Sequence, residues 1–224
     1  LALSSIALLV APASRHDGAA SKAAVSAPGP GVGETRPRPL EGLERHGRPQ
    51  TLGSPTAAVV LVEYGDLRCT PCGQFTRNVE PALIARYVST GVLRLEWRDL
   101  PMFGPQSMAA ARAARAASTQ GRFWQYIHTV YAAPASGQPD LTRAKLDSFA
   151  VEAGVPDLRK FDTDASSTSF DDAINDDKSQ ALRAGIVAAP AYLINGQQIL
   201  GGEPMGTFMS MIDNFADKQP AGRP

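Results

Sequence analysis

The apolar positions of this chain change period several times, and each change marks an element. Ala57-Ala58-Val59-Val60-Leu61-Val62 is an unbroken apolar run rich in β-branched residues, the pattern of a strand buried on both faces of a sheet. It ends at Gly65-Asp66. A three-to-four spacing takes over near Cys69 and places Phe75, Val79, Ala82, Leu83 and Tyr87 on one helix face. Pro81 lies inside that spacing and predicts a kink. Gly91 closes the helix, and Val92-Leu93-Arg94-Leu95-Glu96-Trp97 reads as a second strand. Strand, helix, strand over this length predicts a βαβ unit with a right-handed crossover and parallel strands.

From Gln106 to Ala184 nothing reads as a strand. Ser107 precedes an Ala-rich helix at Met108–Thr119, and Gln120-Gly121 breaks it. Further helical patterns follow at Phe123–Tyr131 and at Leu141–Ala153, the latter entered through Thr142. Gly154-Val155-Pro156 is a stop, and the Asp-rich stretch 157–184 carries another helix at Phe170–Ala184. This is an all-helical block inserted between strands. Strands return after Gly185: Ile186 to Pro190, then Tyr192-Leu193-Ile194, Asn195-Gly196 and Gln198-Ile199-Leu200. Asn-Gly between two apolar runs is a strong hairpin signal. An amphipathic helix at Met205–Ala216 ends the pattern, and no internal repeat is visible.

Residues Leu1–Ala13 form a nearly uncharged apolar run, shorter than the ~20 residues of a membrane span but suited to a signal-peptide core or the end of an anchor. Residues 14–50 are rich in Ala, Gly, Pro and Ser with little periodicity, which reads as a tether. The expected organisation is an apolar remnant at 1–13, a tether at 14–50, folded parts at 51–105 and 185–217 flanking the helical insertion at 106–184, and a tail at 218–224. An apolar end, a tether and a globular domain predict an exported or membrane-anchored protein outside the cytoplasm. No cysteine lies in the tether, which excludes thioether lipidation there.

Lys and Arg number 22 and so do Asp and Glu, so no global field draws the chain to nucleic acid or an anionic membrane. The chain has 2 cysteines, too few for a disulfide framework, so the core must be apolar. They form Cys69-Thr70-Pro71-Cys72, at the point where a buried strand gives way to a helix. There the unpaired backbone N–H groups and the macrodipole stabilise a negative sulfur, and C-x-x-C thiols at helix N-termini ionise at ~3.5–7. Cys69 is then the exposed attacking thiolate, and Cys72, one turn on, the shielded resolving thiol. Pro71 suits the first turn, where its missing N–H has no intrahelical partner. A structural zinc site needs four ligands, and the 3 histidines, His16, His46 and His128, are scattered. A purely structural disulfide closing so small a loop restricts the unfolded chain little. A cysteine hydrolase needs a His base, for which His128 is the one candidate within the folded part. Redox chemistry fits the strand-to-helix context best.

Glu63 is a carboxylate inside an apolar strand. Buried and unpaired it acquires a raised pKa and exchanges protons near neutrality; strand alternation equally allows it to face solvent or a cation. Pro190, ahead of a strand, fits only at the strand's first position, with a trans bond the ordinary state. Arg112 and Arg115 read as a solvated helix face, Phe123, Trp124, Tyr126 and Tyr131 as core rather than a substrate groove, and Asp171, Asp172, Asp176 and Asp177 as a capped, solvated helix lacking calcium-loop spacing.

From Leu52 to about Asp213 the chain resembles the DsbA-like oxidoreductases of bacterial envelopes. The resemblance rests on Leu52-Gly53-Ser54-Pro55-Thr56-Ala57 entering the strand Val59–Tyr64, Asp66 three residues before Cys69, and Tyr87-Val88-Ser89-Thr90-Gly91-Val92-Leu93-Arg94 leading to Arg98-Asp99-Leu100-Pro101. It continues with Ser107–Arg112, Gly121-Arg122-Phe123-Trp124, Gly185-Ile186, Ala189–Gly196 and Gly201-Gly202. It implies an α/β thioredoxin fold with the helical block inserted, a catalytic disulfide with no further cofactor or metal, and a cis-proline at Pro190. On that analogy the Ala189 backbone lies beside Cys69 and pairs with substrate, and Glu63 occupies a buried acidic position that relays protons. The implied substrates are reduced or misoxidised exported proteins, and the implied recharging partner is a quinone-linked membrane protein. The chain departs from the family in two places. Many members place Pro first in the dipeptide and an aromatic or His second, whereas Thr70-Pro71 supplies no charge; Arg68 is the nearest candidate to compensate. Ala189 stands where Thr or Val is common. These departures bear on the strength of the oxidant. A disulfide oxidase is the first expectation, a reductase or isomerase kept reduced by a membrane donor the second, and a non-catalytic binding or chaperone module the third.

Overall fold

The computed structural model describes residues 44–45, 48–132 and 137–218. The apolar run at 1–13, most of the tether and nearly all of the tail lie outside them. In chain order the elements are β1 (Glu44–Arg45), β2 (Arg48–Gly53), β3 (Val59–Gly65), α1 (Thr70–Asn78), α2 (Glu80–Leu83) running into a π-helical turn (Ile84–Val88), and β4 (Leu93–Asp99). They continue as α3 (Pro105–Ser118), α4 (Phe123–Ala132), α5 (Arg143–Glu152), α6 (Leu158–Ser166), α7 (Asp171–Arg183), β5 (Ala191–Ile194), β6 (Gln197–Leu200) and α8 (Met205–Asp217). The strands form one sheet in the order β1-β2-β4-β3-β5-β6.

The βαβ unit closes as the pattern predicts. β3 and β4 run parallel in the register Leu61↔Leu95 and Glu63↔Trp97, and β5 adds antiparallel on the other side of β3 with Glu63↔Tyr192. Glu63, Trp97 and Tyr192 therefore stand in one row across the sheet, on the face that shares an apolar core with α1, α4 and α8. On the opposite face Tyr64 and Ala191 cluster with Leu100, Ile186 and Ala181 of α7. Burial of β3 on both faces explains why its sequence is continuously apolar rather than alternating. A Cβ on Gly65 would stand 2.2 Å from the Trp97 ring, so only glycine fits where β3 passes that indole. At the β5–β6 turn Asn195 and Gly196 both have positive φ, 46° and 85°, as the tight hairpin requires.

Several expectations need correction. The tether does not extend to residue 50: β2 begins at Arg48, and Thr51–Gly53 pair with β4. Leu52, in the second half of β2, is buried in the main core. The stretch 157–184 holds two helices, because Asp157 caps α6 by accepting a hydrogen bond from the Lys160 N–H before α7 starts. Pro81 does more than kink a helix: the chain breaks at Val79 and resumes as α2 with Pro81 in its first turn. Arg112 and Arg115 do not form a solvated face. Arg112 binds Asp171 through two 2.6 Å hydrogen bonds and holds that carboxyl below the ordinary carboxylate range. Arg115 spans Asp99 and Asp177, each at 2.6 Å. Asp177 is accordingly buried and not part of a solvated helix face. Burial pushes its pKa up despite Arg115 and Arg98, so desolvation outweighs pairing there. These ion pairs fasten the inserted helices to β4.

Candidate active site

Cys69 is the N-cap of α1, with extended backbone, and Cys72 is in the first turn. The two form a disulfide with Cα atoms 5.2 Å apart. The turn is set from upstream. Asp66 accepts the Cys69 N–H at its carbonyl, the Arg68 N–H at Oδ1, and the Met102 and Phe103 N–H groups at Oδ2. One side chain thereby ties the end of β3 to the segment after β4. At the sulfurs, the Cys72 N–H donates to Cys69 Sγ over 3.2 Å. This is the unpaired first-turn donor that the helix N-terminus was expected to supply, and it would favour negative charge on that sulfur.

Contrary to expectation, Cys69 is not exposed: it retains 2% of its accessible surface, and Cys72 none. Thr70 Oγ1 donates to the Gly137 carbonyl, and the Arg68 guanidinium donates to the Pro139 and Phe103 carbonyls. These bonds hold the segment 137–139 beside the motif, and Pro139 lines the same narrow cleft as Cys69. Sequence spacing gives no sign of a contact between residues about 70 positions apart. The same bonds occupy the two side chains considered as tuners of the sulfur: the Thr70 hydroxyl and the Arg68 guanidinium are both spent on carbonyls.

Glu63 is buried, in the row between Trp97 and Tyr192, and its Oε1 has no hydrogen-bond partner. Burial lifts its pKa well above the ordinary carboxylate range, and the Glu80 carboxylate lifts it further. Tyr131, whose hydroxyl donates to the Asp66 carbonyl, and Tyr192 are likewise shifted upward by burial and by Glu63. Glu80 itself was missed in the sequence, because it sits at a helix start, where acidic residues are commonplace. It is 1% exposed and accepts or shares a proton with His128 Nε2 at 2.8 Å.

The Ala189–Pro190 peptide bond is cis. Pro190 is buried, its carbonyl accepts the Gly201 N–H, and Ala189 packs against the apolar cluster that contains both cysteines. A groove of about 160 Å³ next to the motif is lined by Pro71, Phe75, Val79, Tyr192 and Phe208 together with the polar Gln74, Asn78 and Glu203. Phe75, Tyr192 and Phe208 pack on one another with ring centroids 4.4–5.2 Å apart, which gives that groove a rigid floor. The aromatic residues of α4 are core, and Phe123, Trp124, Tyr126 and Tyr131 are all buried. Among the described residues no group of three or more His, Cys, Asp or Glu side chains is placed to hold a metal ion.

Residues 46–214 match the family model described as thioredoxin. The chain is 32% identical over 168 residues to a Na(+)/H(+) antiporter NhaA 1 of Mycolicibacterium gilvum, a match that covers 73% of this chain and 25% of the antiporter. It thus spans about a quarter of the length of such relatives. It is 26% identical to a probable disulfide bond formation protein D of Bacillus anthracis, covering 66% of this chain and 70% of that protein. The crystal structure of alpha-DsbA1 from Wolbachia pipientis superposes with a TM-score of 0.67 at 25% identity, over 75% of this chain and 91% of that one. With a Cys69–Cys72 disulfide at a helix N-terminus and a helical block inserted in the sheet fold, the chain is similar to DsbA proteins in structure, and it belongs to the thioredoxin family.

Proposed function

We propose that the protein works outside the cytoplasm as a disulfide donor to reduced exported proteins. In the first step a substrate thiolate attacks Cys69 Sγ, the Cys69–Cys72 bond breaks, and Cys72 leaves as a thiolate that takes a proton from Glu63. A second substrate thiolate then attacks its own sulfur in the mixed disulfide and releases Cys69 as a thiolate. The substrate gains a disulfide and the enzyme ends as a dithiol. The observation that carries the oxidising direction is the Cys72 N–H aimed at Cys69 Sγ at the α1 N-terminus, since stabilising the Cys69 thiolate stabilises the reduced enzyme. The groove of mixed polarity beside Pro71 and the Ala189-Pro190 segment support binding of an extended, unfolded chain across the motif. Recharging by a quinone-linked membrane protein follows from the family resemblance. The match to part of ion antiporters supports work at a membrane, although among the described residues no helix is long and apolar enough to cross one.

A second reading, a reductase or isomerase, is favoured by a specific feature: the Thr70 hydroxyl and the Arg68 guanidinium donate to backbone carbonyls rather than to a sulfur. The reduction potential separates the two. Equilibration with glutathione should give a value toward the ~−120 mV of a strong oxidant, and a value near ~−270 mV would overturn the donor reading. In parallel, Cys69→Ser should abolish the refolding of a reduced, disulfide-dependent substrate. Undiminished activity of that variant would instead make the protein a binding module.

A further inference from the structure

Cys72 has no solvent contact, nor has Glu63 more than a trace, yet each catalytic cycle takes one proton into this interior and returns one. Polar groups lead away from the pair in one direction. Cys72 and Thr76 lie four apart on one face of α1, and Glu80 opens α2 just past the break at Val79. All three are buried. The Thr76 hydroxyl, one oxygen of Glu63 and one oxygen of Glu80 each lack a hydrogen-bond partner, an unusual concentration for a folded interior. The other Glu80 oxygen meets His128 Nε2 at 2.8 Å, and the His128 side chain is 28% exposed. The column therefore begins at a sulfur and ends at an imidazole in contact with water.

We propose that Glu80 and His128 conduct protons between solvent and Glu63, and so set the rate at which Cys72 is protonated and deprotonated. The inference rests on the reading above that Glu63 exchanges protons with Cys72. When Cys72 departs as thiolate, Glu63 gives it a proton, Glu80 restores the proton to Glu63, and His128 restores it to Glu80 from water. In recharging, the same proton travels outward as Cys72 attacks the mixed disulfide. No electrons move along this route. Glu80 and His128 touch neither sulfur nor substrate and act through Glu63. Imidazole suits the outer position because one ring nitrogen can take up a proton while the other gives one up. The other titratable groups around the column are Tyr131 and Trp124's neighbour His128 on α4, Tyr192 on β5, Asp66 and Asp99 at the ends of β3 and β4, and Arg77 on α1, which donates to the Tyr131 carbonyl. The tyrosines are held protonated by burial, which leaves the carboxyl groups and the imidazole to carry the proton.

The test is the single-turnover rate of disulfide reduction by dithiothreitol in the full chain, followed by acid quench and mass tagging of thiols, from acid to alkaline pH. His128→Gln and Glu80→Gln should each slow the reaction about tenfold near neutral pH, the lower end of general acid–base effects, and flatten the pH profile in the range where imidazole titrates. His128→Gly should be restored by added imidazole, and Glu63→Gln combined with His128→Gln should be no slower than Glu63→Gln alone. Profiles that superpose on the wild type, slowing by the same factor at every pH, no rescue by imidazole, or multiplicative double-variant effects would each overturn the relay. Its failure is distinct from that of the proposed function: a wild type unable to oxidise substrate sinks the latter, and a Glu63→Gln variant with wild-type rates sinks the role of Glu63. Slowing in Glu63→Gln without any change in His128→Gln removes only the relay.

Discussion

The carboxyl of Glu63 is where a single residue opposes the stability of the fold. Its folded-state pKa is raised by burial and by Glu80, so the native state binds its proton more tightly than the unfolded chain does. The stabilising effect of that proton is fully present below the ordinary Glu pKa of ~4.3 and is lost as pH rises through the folded value. Glu63→Gln removes this dependence. The variant should gain stability over the wild type as pH rises, with the difference shrinking toward acid, and urea titrations at several pH values check it. Access to Cys69 is also decided by individual side chains. Thr70→Val and Arg68→Ala each remove hydrogen bonds worth about 0.5–1.5 kcal/mol that hold residues 137–139 at the motif. Alkylation of reduced Cys69 should speed up about three- to tenfold in each variant, read by iodoacetamide kinetics with Cys72 replaced by Ser.

Between elements, the joints are ionic and steric rather than merely apolar. Arg115 on α3 bridges Asp99 at the end of β4 and Asp177 on α7, with all three side chains nearly buried. Removing the guanidinium leaves two carboxylates close together, with Asp177 facing the more distant Arg98 at 3.6 Å. Arg115→Ala should therefore cost about 3–5 kcal/mol in chemical denaturation, whereas exposed pairs such as Arg143 with Asp147 should contribute under about 1 kcal/mol. At Gly65 the contact is steric. The Trp97 ring is itself fixed by its Nε1–H donating to Asp99 at 2.8 Å, so it has little freedom to retreat from a new methyl. Gly65→Ala should destabilise by about 1–3 kcal/mol and lower the melting temperature accordingly, as an overpacked core does. The helix–strand alternation and the Asn195-Gly196 hairpin were legible because period and turn chemistry are local properties. The ion pairs were not, since Arg112 and Arg115 look solvated until α7 is packed over α3 and β4.

At the scale of the molecule, the inserted helices do more than decorate the sheet. α4 supplies Tyr131 against Gly73 and Asp66, and His128 against Glu80, so the insertion builds one wall of the redox site. The Cys-x-x-Cys motif, its strand-to-helix setting, the helical block and the closing hairpin could all be read from the chain, because each depends on residues within a few positions of one another. Burial of Cys69, the occupation of Arg68 and Thr70 by distant carbonyls, the pairing of Glu80 with His128 and the Glu80 field at Glu63 were decided only by tertiary packing. The same side chain is solvated or desolvated according to what lies across from it, and that neighbour comes from β3, α2 or α4, far apart in sequence. The sequence determined which sulfurs can exchange; the fold decided how they are covered, and which carboxyl groups lie in their interior, because desolvation and pairing are properties of the assembled core.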